Sequence, residues 1–139
     1  MASNREVLAY VALPMVHKRD FSSNEKYVKL IEGLGLKVIS KWVTSMDTAT
    51  PPEVFQRDVK SIERSDIIIA DVTEPSHGVG MELMYAFLKG KKIIVTAKEG
   101  SKVSYMILGM PRVKIVWYNS LDDLEIKLRK VLGELRVVP

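Results

Sequence analysis

The sequence predicts a doubly wound α/β domain, a five-stranded parallel sheet with helices on both faces. Three observations lead there. Short apolar runs recur along the 139 residues, spaced widely enough to leave room for a helix between them. The intervening segments place apolar residues at helical spacing and are punctuated by Ser, Pro or Gly. Strands alternating with helices call for right-handed crossovers, which make the sheet parallel and cover it on both sides.

Val7–Leu13 (Val-Leu-Ala-Tyr-Val-Ala-Leu) is a continuous apolar run suited to a strand buried on both faces. Ser22 or Ser23 is placed to cap the next helix, in which Tyr27, Leu30, Ile31 and Leu34 recur at helical spacing before Gly35. Leu36–Val43 reads as a second strand and Thr44–Thr50 as a polar loop. Pro51-Pro52 then opens a helix, since proline at the first helical position gives up only an N–H that would have no partner there. Ile67–Val72, a run of Ile and Ala with an Asp at each end, is the clearest strand. Gly90 ends the helix that follows; Lys91–Ala97 and Val113–Tyr118 are strands four and five, and Leu121–Leu135 is a closing amphipathic helix. The result is one Rossmann-like or flavodoxin-like domain over residues 1–139. Ligands of such sheets bind beyond the carboxyl ends of the strands, near the switch in strand order, which here means Tyr10–Pro14 and Asp71–Gly80.

The composition excludes several functions. With no cysteine there is no disulfide, no thiol nucleophile and no thiolate metal site. No apolar run reaches membrane-spanning length, and the opening Met-Ala-Ser-Asn-Arg-Glu lacks the apolar core of a secretion signal, so a soluble cytoplasmic protein is expected, with no membrane partner. The net charge of +4 favours anions, but the basic residues are scattered among acids, the pattern of a solvated surface and not of a nucleic-acid footprint.

Two carboxylates stand where carboxylates are costly. Glu82 is the only charge between Glu74 and Lys89, in a helix otherwise written Val79, Met81, Leu83, Met84, Ala86, Phe87 and Leu88. Its position reads either as a reactive group or as an acid in a first helical turn, where the macrodipole favours negative charge and would keep it ionised, as a nucleophile requires. Asp58 lies on the apolar stripe of its helix, four residues from both Val54 and Ile62, while Glu53, Gln56, Arg57, Lys60 and Glu63 form the wet face. It points either into a cleft or to a backbone group or lysine at the stripe's edge. Two carboxylates in contrasting environments are the ingredients of glycosidic-bond cleavage.

Gly78-Val-Gly80 lacks the third glycine of a dinucleotide fingerprint, Leu83 standing in its place, and lacks the Lys-Ser/Thr of a P-loop. The two glycines still allow close approach of an anion, and Ser76 is either a helix cap or a ligand contact. His77 reads as an exposed turn residue or a proton shuttle, and Tyr10 as a core or a functional tyrosine. His17, Lys18 and Arg19 form a small basic cluster after strand one, either a phosphate attractor or a solvated loop.

These residues resemble the nucleoside 2-deoxyribosyltransferase superfamily, and most closely its 2'-deoxynucleoside 5'-phosphate N-hydrolase branch. The resemblance is carried by Ala9-Tyr-Val-Ala-Leu-Pro-Met15, Arg57-Asp58, Ala70-Asp-Val-Thr-Glu-Pro-Ser-His-Gly-Val-Gly-Met-Glu-Leu83 and Val103-Ser-Tyr-Met-Ile-Leu-Gly109. It implies that Glu82 is the nucleophile, that Asp58 helps the base depart, and that Tyr10 sits at the sugar. It also implies substrate contacts from Ser76, Gly78, Gly80, Pro14 and Ser104, with Ser104 reaching the site from the second subunit of a homodimer. The implied substrate is a small nucleotide, with no metal or organic cofactor. Ser76 stands where the transferases resemble one another in carrying Asp; a hydroxyl there can donate to a 5'-phosphate that a carboxylate would repel. Leu13, Pro14, Met15 and Val16 depart from the Gly-Ser and Arg of the hydrolases' strand-one turn, so one phosphate donor and one cation are missing. Lys18 or Arg19 is the candidate replacement. The rival readings are base transfer between nucleosides, a non-catalytic nucleotide-binding module, and a structural domain with both acids in internal ion pairs.

Overall fold

A computed structural model describes residues 5–15 and 20–137. Five parallel strands, β1 (Leu8–Ala12), β2 (Lys37–Val38), β3 (Ile67–Asp71), β4 (Lys92–Lys98) and β5 (Val113–Tyr118), lie in the order β2-β1-β3-β4-β5. The order reverses between β1 and β3, which pair in register from Ala9 opposite Ile67 to Ala12 opposite Ala70. Their carboxyl ends form the switch point at which such sheets hold ligands.

Helices α1 (Ser22–Gly33) and α5 (Leu121–Glu134) cover one face, packing Tyr27, Val28, Ile31, Leu124, Leu128 and Leu132 on Ala9, Val11, Ile67 and Ile69. Helices α2 (Pro51–Arg64) and α3 (His77–Leu88) cover the other, packing Ile62, Val79, Leu83 and Ala86 on Tyr10, Ala12, Ile68 and Ala70. Alternate strand residues thus feed two separate cores, which is why β1 is apolar throughout and β3 is apolar up to Asp71. A short helix absent from the sequence reading, α4 (Tyr105–Leu108), follows β4.

Two local expectations are corrected. The second strand does not run to Val43: it stops at Val38, and a 3-10 turn occupies Lys41–Thr44. The buried Ser40 hydroxyl accepts from the Val11 N–H at 2.8 Å and donates to the Val11 carbonyl at 2.9 Å. One side chain therefore satisfies both backbone groups of β1 that a longer β2 would pair, and the chain is free to turn. Neither Ser22 nor Ser23 caps α1; Phe21 stands at the N-cap, and the Asp20 carboxylate accepts from the Ser22 N–H at 2.9 Å. The proline start of α2 is as expected, with Glu53 reaching back to accept from the Thr50 N–H at 3.0 Å. Ser76 is the N-cap of α3, accepting from the Val79 N–H at 3.3 Å, and Gly90 takes a positive φ of 69° just past that helix.

At the carboxyl end of the sheet the Asp71 carboxylate gathers three donors: the Thr96 hydroxyl at 2.8 Å, the Tyr118 hydroxyl at 2.7 Å and the Thr73 N–H at 3.0 Å. Tyr27 from α1 joins through Thr96 at 2.7 Å. Burial holds both phenols well above their ordinary pKa, so they stay neutral. This cluster ties β3, β4, β5 and α1 together beside the switch point.

Candidate active site

Tyr10 is the middle residue of β1, only 1% exposed, and the pleat turns it toward α2 and α3. Its hydroxyl donates to Oε2 of Glu82 on α3. Asp58 on α2 acts on both groups through charge and hydrogen bonding. Asp58 and Glu82 border one cavity of about 730 Å³ between α2 and α3, walled by apolar side chains such as Val54, Phe55, Ile62 and Met81 and opened by Gly78. Helical spacing had put Asp58 in line with Val54 and Ile62, and those two flank it in the cavity wall.

The expectation that a helix terminus keeps Glu82 ionised fails. The N-cap is Ser76 and the helix begins at His77, so Glu82 lies in the second turn, beyond the reach of the terminal dipole. Burial instead pushes its carboxyl up to about 8; the Tyr10 hydroxyl opposes this, the nearby Asp58 adds to it, and the Arg57 charge opposes it. Burial likewise raises the Tyr10 phenol far above its ordinary value, with Glu82 next in effect, so Tyr10 is a fixed hydrogen-bond donor.

Arg57 does not lie on a wet face. Its Nε donates to Asp58 Oδ1 at 2.9 Å, and its two terminal nitrogens fork onto Asp47 at 3.2 and 2.8 Å. The guanidinium lies 4.1 Å from the centre of the Trp42 ring, and that ring meets Tyr10 edge-on with centroids 6.1 Å apart. Trp42 and Asp47 were missed by the sequence reading, for they lie in the stretch taken as strand and polar loop. The only available signal was the adjacency of Arg57 and Asp58.

The remaining expected contacts fall elsewhere. Ser76, Gly80 and Ser104 border a second cavity of about 900 Å³, with Lys102 and His77, which shares Met81 and Met84 with the first. Ser104 is exposed and caps α4, accepting from the Met106 N–H at 3.2 Å. A Cβ at Gly78 or Gly80 would meet nothing within 4 Å, so each glycine faces open space and neither is needed for packing. Pro14 borders a third, more polar cavity of about 360 Å³ with Asp71, Lys26 and Lys98. Val16, His17, Lys18 and Arg19 lie outside the described residues. Among the described residues no three His, Asp or Glu side chains come together as a metal site requires, and no helix is long and apolar enough to cross a membrane.

Residues 9–124 match the family profile described as nucleoside 2-deoxyribosyltransferase. A protein of Thermofilum pendens described as a candidate 2'-deoxynucleoside 5'-phosphate N-hydrolase 1 is 35% identical over 133 residues, spanning 88% of this chain and 93% of its own length. A 5-hydroxymethyl-dUMP N-hydrolase of Danio rerio is 41% identical over 58 residues, 40% of this chain and 41% of that one. The structure of the Clostridium botulinum CMP N-glycosidase BcmB superimposes with a TM-score of 0.67 at 22% identity, over 87% of this chain and 97% of its own, and supports the fold. With a match over most of its length, and with Asp58 and Glu82 of the resembling segments bordering one cavity, the chain belongs to the nucleoside 2-deoxyribosyltransferase family.

Proposed function

We propose that the protein is an N-glycosidase that hydrolyses 2'-deoxynucleoside 5'-monophosphates to a free base and a sugar phosphate. The observation that carries this reading is the half-buried Glu82 carboxyl held by the Tyr10 hydroxyl beside Asp58. The names of the relatives support that substrate class. In its ionised form Glu82 attacks: one of its oxygens bonds to the anomeric carbon as the N-glycosidic bond breaks, and the bonding pair leaves with the base nitrogen, which takes a proton from Asp58. Water then attacks the same carbon and gives its proton to Asp58, releasing Glu82. Two carboxyls border one cavity, and the reaction needs one group to attack and one to protonate.

Ser76 and Ser104 serve the phosphate in this reading, and Ser104 does so from the second subunit of a homodimer. Phe55, Met81 and Leu88, 60, 63 and 69% exposed on α2 and α3, supply an apolar face for that assembly. Light scattering in solution reads the assembly state; a monomer at working concentration overturns this part.

Incubation with a panel of deoxynucleoside monophosphates, following free base, tests the reaction. Release by the wild type and none by Glu82→Ala is expected; silence of the wild type with every substrate overturns it. Addition of a second base without appearance of a new nucleoside separates hydrolysis from transfer.

A further inference from the structure

We propose that Arg57 is a positioning residue for this reaction, holding the Asp58 carboxylate where it assists the departing base and fastening it to the segment that carries Trp42 and Asp47. The inference rests on the function proposed above. The guanidinium is fixed on three sides: Nε on Asp58 Oδ1 at 2.9 Å, a fork on Asp47 at 3.2 and 2.8 Å, and its face on the Trp42 ring at 4.1 Å. The side chains of Arg57, Asp47 and Asp58 are 26, 23 and 19% exposed, so these are not the mobile ion pairs of a solvated surface. Trp42 in turn meets Tyr10, the donor to Glu82. Arg57 therefore touches both arms of the site, the acid directly and the tyrosine through one ring. The contact engages one Asp58 oxygen, Oδ1, and so fixes the carboxyl group from one side. Lysine has the charge but neither the planar fork nor the stacking face.

Leaving groups provide the test, because Arg57 acts through the residue that protonates the base. Arg57→Lys, Arg57→Gln and Asp47→Asn are compared with wild type on a deoxynucleoside monophosphate and on 4-nitrophenyl 2-deoxyriboside 5-phosphate, whose nitrophenolate departs without a proton. For Arg57→Lys and Arg57→Gln, base release is expected to lose kcat by about 100-fold with KM within about threefold, while nitrophenolate release changes by less than about threefold. Asp47→Asn, which frees the other edge of the fork, shows a smaller loss with the same leaving-group pattern. In an Asp58→Asn background Arg57→Gln adds no further loss, since the two residues act as one unit. Equal losses with both leaving groups, or additive losses in the double variant, leave Arg57 a structural residue and overturn the inference while the proposed function stands. Wild-type silence with both substrates overturns the function and this inference together.

Discussion

Tyr10 and Glu82, 72 residues apart in sequence, are joined by a hydrogen bond from the phenol to the carboxylate. The pair connects β1, one of the two strands at the switch point, to the helix that follows β3, and it places a donor that burial keeps protonated against an acid that burial makes reluctant to ionise. The tyrosine thus works against the desolvation of its partner.

Tyr10→Phe removes the donor while keeping the ring that packs on Trp42. Base release is expected to fall by about 100-fold, the scale found when one hydrogen-bond donor to an active-site anion is lost. Because the Tyr10 contact lowers the Glu82 pKa, the pH-rate limb set by Glu82 ionisation moves to higher pH. Initial rates across a pH series measure both effects.

Stability carries the mark of Glu82 as well. Its carboxyl is raised from an ordinary 4.5 to about 8 in the folded protein, so the unfolded chain ionises first. The stabilising contribution is complete below the unfolded value and is lost as pH rises through the folded one. Urea unfolding at about pH 5 and about pH 9 shows wild type weakening toward the higher pH. Glu82→Gln, with no proton to lose, weakens less over the same range and releases no base.

Ser76→Asp separates the phosphate from the helix. Aspartate caps a helix as well as serine, so α3 remains intact and the melting temperature is little changed. A carboxylate beside a 5'-phosphate costs at least about 1.4 kcal/mol of binding, a tenfold or greater rise in KM for the monophosphate. The unphosphorylated nucleoside is not penalised in this way. An unchanged KM for the monophosphate removes Ser76 from the phosphate site.

Asp71→Asn tests the polar cluster at the end of the sheet. An amide turns an N–H₂ group toward donors that now meet a single carbonyl oxygen, and one or more of Thr96, Tyr118 and the Thr73 N–H is left without an acceptor. The expected loss is about 1–3 kcal/mol in chemical denaturation. Tyr118→Phe, which removes one donor without orphaning Asp71, costs less.

The sequence by itself determined the layered architecture and its catalytic carboxylate candidates. Apolar runs such as residues 67–70 must be buried on both faces, which calls for a parallel sheet, and Glu82 and Asp58 stand out because charge on an apolar helical face is expensive. Ser76 as a cap was equally legible, because capping is decided within one turn. Tertiary structure alone decided what lies outside local periodicity. Ser40 ended β2 by bonding to Val11, 29 residues away, which turned Trp42 inward. Burial among its neighbours shifts the Glu82 carboxyl upward, overruling the dipole argument, since desolvation depends on what surrounds a group and the dipole only on where its helix begins. The fork of Arg57 joins Asp58 to a loop 10 residues upstream through a planar group whose reach no spacing rule describes.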